Sequence, residues 1–216
     1  MIFLPRPTAY WTLVSVALVA SLGRALPQES PLPPFGRDTV LVWKTENQGL
    51  VDTFVVRIAE FLPNRYVEWE NSVTQGTIFM PSGAVAGAKA FVNARLFEGG
   101  VDTRGKDTTT LWLSRRAYGE LKAKQRVKLR VDSIDGWMTL EGTEQMAVEV
   151  NKSTATMPVI KVKDDRGSER WFLDMEENPL MMKHLFRRFT QTLISITTDR
   201  ANTLRWIKGK KLTDPH

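Results

Sequence analysis

Apolar and polar side chains alternate along most of this chain from residue 39 onward. The alternation is clearest in TVLVWK (39–44), TFVVRIAEF (53–61), RYVEWEN (65–71) and QGTIFM (75–80). A period of two places every second side chain on one face of a strand, and the β-branched and aromatic residues here suit a pleated surface. Turn residues such as Gln48-Gly49 separate the segments, so we expect four strands paired as an antiparallel meander.

Strand patterns return in the second half of the chain, after two helical segments. They lie in QRVKLRVDS (125–133), DGWMTLEG (135–142), QMAVEVN (145–151), MPVIKVKDD (157–165), ERWFLDM (169–175), PLMMKHLF (179–186) and FTQTLISITT (189–198). Asp135-Gly136 predicts a tight hairpin turn between the first two. The sequence therefore predicts a mainly β (α+β) domain, either a curved antiparallel sheet or a partly open β-barrel of about ten strands with two short helices.

The two helices are predicted from caps and spacing. Ser82 can cap a segment in which Val85, Ala88, Val92 and Leu96 recur at intervals of three and four residues. Ser114, at the end of the short strand pattern TTTLWL, can cap a second helix that continues to about Lys122.

The first 25 residues have the pattern of a secretory signal: Arg6, an apolar run from about Ala9 to Leu22, and the small residues Gly23 and Ala25. A retained membrane anchor is the alternative, although the run falls just below the length of about 17 to 25 residues that spans a bilayer comfortably. Either interpretation places the rest of the chain outside the membrane, and we expect an exported protein, periplasmic or extracellular.

The remaining chain is expected to form one domain. Residues 26–37 contain four prolines and predict an extended linker, 38–210 a single β-rich domain, and 211–216 a C-terminal tail. The chain has no cysteine, which rules out disulfides, zinc-thiolate sites and thiol nucleophiles. Exported domains of eukaryotes usually carry disulfides, so this absence favours a bacterial cell-envelope protein.

A row of cations is the sharpest local pattern. The chain carries a formal charge of +6, which falls to +4 when Arg6 and Arg24 leave with a signal peptide. In an extended strand, Lys124, Arg126, Lys128 and Arg130 would project to one face at intervals of about 6.6 Å. Such a row could bind phosphates of lipid headgroups, cell-wall polymers or nucleic acid, or it could simply be a solvated face or a protected sheet edge.

Nucleic acid is the partner that we do not expect, because export separates the protein from it and no aromatic residue interleaves with the row. Among other partners, a lipid, a cell-wall polymer or an envelope protein all remain open. Membrane contact is expected only through the N-terminal segment, if that segment is uncleaved.

Several acidic residues are candidates for catalysis. Val101-Asp102-Thr103 followed by Gly105 resembles the hydrophobic-Asp-Thr-Gly run of retropepsin-type aspartic peptidases, but Arg104 interrupts the turn that the family uses to let two carboxylates share a proton. Glu68 and Glu70 share a strand face about 6.6 Å apart, a spacing that a glycosidase could use. In both places a solvated loop or a half-buried strand explains the residues equally simply.

The segment from 171 to 186 brings Asp174, Glu176 and Glu177 close in sequence to His184. Met175, Met181, Met182 and His184 are soft ligands that could hold Cu(I), but strand alternation separates them and core filling is the preferred interpretation, so no metal or cofactor is predicted. The chain contains no G-x-S-x-G, S-x-x-K, P-loop or dinucleotide motif.

Leu173-Asp174 followed by Asn178-Pro179-Leu180 is similar to a segment of uncharacterised secreted or periplasmic bacterial proteins that joins two late strands. The resemblance implies an envelope protein and does not indicate what activity it has.

The sequence therefore favours an exported noncatalytic binding or scaffold domain for an apolar or anionic ligand. Six tryptophans could line a ligand cavity or fill the core: Trp43, Trp69, Trp112, Trp137, Trp171 and Trp206. The alternative is a hydrolase of envelope polymers that uses carboxylates such as Asp102, Asp174 or Glu68. A third possibility is a structural partner in a surface complex that docks through the basic row.

Overall fold

The computed structural model describes residues 32–93, the backbone of 102–104, and residues 107–198. The described part of the chain is mostly β, with 60% of its residues in strands and 10% in two helices. The predicted signal segment, the tail and Trp206 lie outside the described residues. No helix within the described part of the chain is long and apolar enough to cross a membrane.

One curved sheet contains all thirteen strands of the described residues. These are β1 (Val40–Asn47), β2 (Leu50–Glu60), β3 (Arg65–Glu70), β4 (Gln75–Met80), β5 (Ala90–Phe91), β6 (Asp102–Arg104), β7 (Thr108–Thr109), β8 (Arg126–Val131), β9 (Ile134–Val150), β10 (Ser153–Asp164), β11 (Glu169–Leu173), β12 (Met181–Phe186) and β13 (Phe189–Thr197). The spatial order is β6-β4-β3-β2-β1-β13-β12-β11-β10-β9-β8-β5-β7.

The last strand, β13, joins the two halves of the sheet. It runs antiparallel to both β1 and β12, and it also pairs in parallel with β9 at Ser195–Glu149 and Ile196–Val150. The strands β9 to β13 therefore form a partial ring of five strands, which in the described residues is not a closed barrel. The predicted mainly β architecture with a curved, partly open sheet is confirmed.

Alternation along the strands fills the core. In β3, Val67 and Trp69 are buried between half-buried polar neighbours, and in β8 Val127, Leu129 and Val131 are buried. Four of the tryptophans fill this core: Trp43, Trp69, Trp112 and Trp171.

The helices lie between β4 and β8. In α2 (Arg115–Lys124), the Ser114 side chain accepts a hydrogen bond from the backbone N–H of Ala117, as its cap position predicts. The helix α1 (Ser82–Gly87) is shorter than predicted: Pro81 holds the cap position, Val92 lies beyond β5, and Leu96 is outside the described residues.

Two predicted boundaries in the second half are wrong. The turn between β8 and β9 falls at Asp132 and Ser133, whose φ values of 51° and 70° give the left-handed conformation that a tight hairpin needs. Asp135-Gly136 instead lies inside β9. The segments 135–142 and 145–151 belong to one 17-residue strand, because β10 pairs with it along its length. The register between the two strands shifts only once, between Lys161 and Val162.

The segment predicted as a linker also contributes to the core. Leu32 and Phe35 are buried within the hydrophobic core, and the Phe35 ring lies 5.4 Å from the Phe61 ring. Residues 32–37 therefore pack against the domain, whereas 26–31 lie outside the described residues.

Candidate functional site

The strand β8 presents three cations to solvent. Arg126, Lys128 and Arg130 are exposed, while the alternate side chains of this strand are buried. The neighbouring strand β9 pairs along the full length of β8. We call Arg126, Lys128, Arg130 and Trp137 the basic face.

Lys124 does not belong to this row. It lies in the last turn of α2, and its ammonium group is 3.6 Å from Glu120, one helical turn back. Gln125 follows with φ 63°, which ends the helix and redirects the chain into β8. The prediction that four cations share one strand face is therefore wrong for Lys124.

Trp137 is the member of the basic face that the sequence argument missed. The register places it directly opposite Lys128, and the guanidinium of Arg126 lies 4.5 Å from the centre of its ring. The ring is 41% exposed, and the Trp137 backbone N–H donates to the Asp165 carboxylate at 2.7 Å. An aromatic side chain thus does adjoin the row. The sequence pattern does not indicate this position of Trp137, because the pairing of Trp137 with Lys128 depends on a turn at Asp132-Ser133.

One carboxylate partly neutralises the face. Arg130 donates to Asp135 at 3.0 Å, and this hydrogen bond, followed by the charge of Arg130, lowers the pKa of Asp135. Lys128 makes no ion pair with any described residue. The face therefore retains a net positive charge beside an exposed ring. Such a surface can attract phosphates or carboxylates and offers a stacking platform to a flat ligand.

A second polar cluster is buried where β12 faces the β10–β11 turn. The Ser168 hydroxyl lies 2.8 Å from His184 Nε2, and the Asn93 side-chain nitrogen lies 2.7 Å from His184 Nδ1. These are the residue types of a nucleophile, a base and an orienting amide. The three side chains are at most 1% exposed. With Asn93 donating to Nδ1, Nε2 carries the proton and donates to Ser168, which is the reverse of what a general base needs.

The same region contains a buried ion-pair network. Arg170 donates to Asp164 at 2.9 Å, and Arg166 lies within 3.5 Å of both Asp164 and Asp132. Burial alone would raise the pKa of Asp164, but the hydrogen bond from Arg170 and the backbone N–H of Ser168 outweigh it and lower the pKa. This network fastens the β8–β9 and β10–β11 turns to the sheet.

Arg65 is a buried cation of a different kind. Its guanidinium lies 4.9 Å from the Phe61 ring centre and 4.8 Å from the Trp112 ring centre. It donates one hydrogen bond to the backbone carbonyl of Glu177, whereas Nε and Nη1 are buried without a hydrogen-bond partner. Nothing in the sequence pattern signals this, because Arg65 occupies an inward position of β3.

Glu68 and Glu70 lie two residues apart on one face of β3, as predicted, whereas Asp174 follows β11. Asp174 accepts hydrogen bonds from Tyr118 at 2.5 Å and from Lys122 at 2.9 Å, which ties it to α2. Glu68 lies on β3 and is ion-paired with Arg57. The backbone of Asp102 belongs to β6, and its side chain lies outside the described residues. Asp174 and Glu68 are thus each paired with a cation on another element.

The predicted soft ligands are part of the core. Met181, Met182 and His184 are buried on β12, and the Met181 carbonyl accepts a hydrogen bond from the Trp43 indole at 3.0 Å. No cluster of three or more histidine, aspartate or glutamate side chains that could hold a metal ion occurs in the described parts of the chain. Met181 and Met182 fill the core, as expected.

Comparison of the chain with protein families and with curated proteins finds no match. The geometry of the basic face therefore carries the functional argument alone.

Proposed function

We propose that this protein is an exported, noncatalytic binding domain of the cell envelope, and that its basic face binds an anionic polymer such as a carboxylated cell-wall glycan. The observation that carries the proposal is the juxtaposition of Arg126, Lys128 and Arg130 with the exposed ring of Trp137.

The spacing of the face suits a repeating ligand. Cations two residues apart on a strand are separated by about 6.6 Å, which is on the scale of a sugar unit in an extended chain. Carboxylates would bind the cations, and a sugar ring would stack on the exposed part of Trp137, whose ring centre lies 4.5 Å from the guanidinium of Arg126. A free phosphate would use only the charges, so the aromatic platform favours the glycan.

The test uses polygalacturonate as an anionic polysaccharide and dextran as a neutral one. Arg126→Glu combined with Lys128→Glu should abolish salt-sensitive binding of polygalacturonate in isothermal titration calorimetry. Lys44→Glu with Lys152→Glu is the matched control, since it makes the same change in net charge on exposed side chains outside the face. Equal binding by both double variants, or equal binding of dextran, would refute the proposal.

Trp137→Ala separates stacking from charge. The variant should weaken polygalacturonate binding by about tenfold, the loss expected for one aromatic contact of about 1.4 kcal/mol, with the salt dependence unchanged. Unchanged affinity in this variant would leave a purely electrostatic surface and contradict the glycan assignment.

The alternative, a hydrolase of envelope polymers, predicts product formation rather than retention. Incubation of the same polymer with the protein, followed by a reducing-end assay, distinguishes the two functions. Turnover that disappears in Asp174→Asn or Glu68→Gln would replace the binding function by the enzymatic one.

A further inference from the structure

Three hairpin turns lie side by side at one end of the sheet. They connect β1 to β2, β3 to β4 and β12 to β13, and their strands are neighbours or next neighbours in the sheet order. The Gln48 backbone N–H donates to the Arg188 carbonyl at 3.4 Å, and the Ser72 N–H donates to Asp52 at 3.3 Å. These contacts make the three turns one continuous surface.

Large apolar side chains project from these turns. Leu50 is 79% exposed, Val51 61% and Val73 89%. The Asn71 side chain holds the β3–β4 turn, because it accepts hydrogen bonds from the N–H groups of Val73 and Thr74 at 2.9 and 2.8 Å. The exposure of Val73 is therefore imposed by the fold. We call Leu50, Val51, Val73, Arg187 and Arg188 the tip surface.

The direction of these side chains indicates what can cover them. Leu50 and Val51 are consecutive on β2, so they point to opposite faces of the same ribbon. A protein partner that lies against one face of the sheet would cover only one of the two. A fluid apolar medium that surrounds the tip of the hairpin would cover both, together with Val73.

The charges at the tip are basic. Within the three turns themselves the charged residues are Arg187 and Arg188, both exposed. Two acids lie close to the turns: Glu46 is 3.9 Å from Lys44, and the Asp52 carboxylate accepts hydrogen bonds from the backbone N–H groups of Thr53 and Ser72. Arg187 and Arg188 form no ion pair with any described residue, so they can contact an anionic surface. Cations beside exposed apolar side chains are the combination that binds the surface of an anionic bilayer.

We propose that the tip surface docks the domain on a lipid bilayer with anionic headgroups, with Leu50, Val51 and Val73 entering the interface and Arg187 and Arg188 contacting phosphates. This membrane contact is additional to any that the N-terminal segment makes. It also uses a different surface from the proposed glycan site, so that either function can fail without the other.

The absence of cysteine from the chain gives a direct test. Leu50→Cys and Val73→Cys are each labelled with an environment-sensitive dye in the full chain. Leu62→Cys is the matched control, because Leu62 is 59% exposed and lies in the β2–β3 turn at the opposite end of the sheet. Vesicles of phosphatidylcholine with phosphatidylglycerol should shift the dye emission to the blue at both tip positions and leave it unchanged at the control position.

The charge contribution is tested separately. Arg187→Glu with Arg188→Glu should lower the affinity of the labelled tip for the same vesicles at least about tenfold, whereas Lys89→Glu with Lys152→Glu, away from the tip, should not. Three results would overturn the proposal: no blue shift at the tip positions, an equal shift at Leu62→Cys, or an equal response to pure phosphatidylcholine. A shift that depends on protein concentration without vesicles would assign the tip to self-association and overturn it too.

Discussion

Arg65 offers the sharpest test of how this core is stabilised. Its side chain is 1% exposed between Phe61 and Trp112, makes one hydrogen bond to the Glu177 carbonyl, and leaves two nitrogen donors unpaired. Burial, followed by the charge of Arg115, lowers the pKa of Arg65 to about 9, against a weaker opposing effect of Glu177. We predict that Arg65→Met leaves the protein as stable as before or makes it more stable.

The magnitude follows from opposing contributions. The lowered pKa corresponds to a penalty of about 5 kcal/mol for keeping the charged guanidinium in this site at neutral pH. Two ring contacts return about 1 to 2 kcal/mol each, and the hydrogen bond returns about 2 kcal/mol. Methionine keeps the volume and contributes about 1 kcal/mol through contacts of its sulfur with the rings. Arg65→Met should therefore change the free energy of unfolding by between zero and about +2 kcal/mol.

Urea unfolding followed by circular dichroism measures this change. Arg57→Met is the matched control: Arg57 is largely buried but paired with both Asp38 and Glu68, so the same substitution should destabilise the protein by about 1 to 3 kcal/mol. If Arg65→Met lowered the free energy of unfolding by more than about 1 kcal/mol, the assignment of Arg65 as an electrostatically unfavourable residue would be wrong.

Three further predictions concern packing, capping and pH. Gly76→Ala should destabilise the protein by about 1 to 3 kcal/mol in urea unfolding, because a Cβ there would lie 2.8 Å from the Trp69 indole nitrogen; an unchanged midpoint would contradict the close contact. Ser114→Ala should lose about 1 to 2 kcal/mol by removing the α2 cap, and Ser114→Thr should restore most of it. Because the folded-state pKa of Asp164 is lowered, its stabilisation is complete above the unfolded-state pKa of about 4 and is lost as pH falls through the folded-state value. Asp164→Asn should therefore flatten the pH dependence of unfolding below about pH 4; retention of the full dependence would assign it to other acids.

The alternation of apolar and polar residues was enough to predict those strands that bury one face. The structure has β1 to β4 at the four segments predicted between 39 and 80, with the turn at Gln48-Gly49 as predicted, although β1 continues to Asn47 and β2 begins at Leu50. In β1, the residues from Val40 to Trp43 are all buried, so its first half does not alternate. Ser114 was recognisable for the same reason, since a cap is a contact across three residues. The alternation and the caps depend only on residues close together in the chain, so both can be predicted from the sequence.

Features that depend on the register between paired strands could not be predicted from the sequence. Asp135-Gly136 is the stronger turn dipeptide, but the Asp165 carboxylate lies 3.0 Å from where a Gly136 Cβ would be, so a contact from a distant turn favours glycine there. Trp137 joins the basic face only through the resulting pairing with Lys128. The buried contact between Ser168 and His184 likewise needs β11 and β12 in place, and no spacing along the chain indicates it.

The position of β13 determines the order in which the molecule can be completed. Until residues 189–197 have emerged, β1 lacks its partner on one side, β12 lacks its hairpin mate, and the parallel contact with β9 cannot form. A polypeptide synthesised from its N-terminus would thus hold several unpaired strand edges until residues 189–197 are present, and such edges recruit other chains. Premature termination before Phe189 should consequently yield insoluble material rather than a smaller folded product.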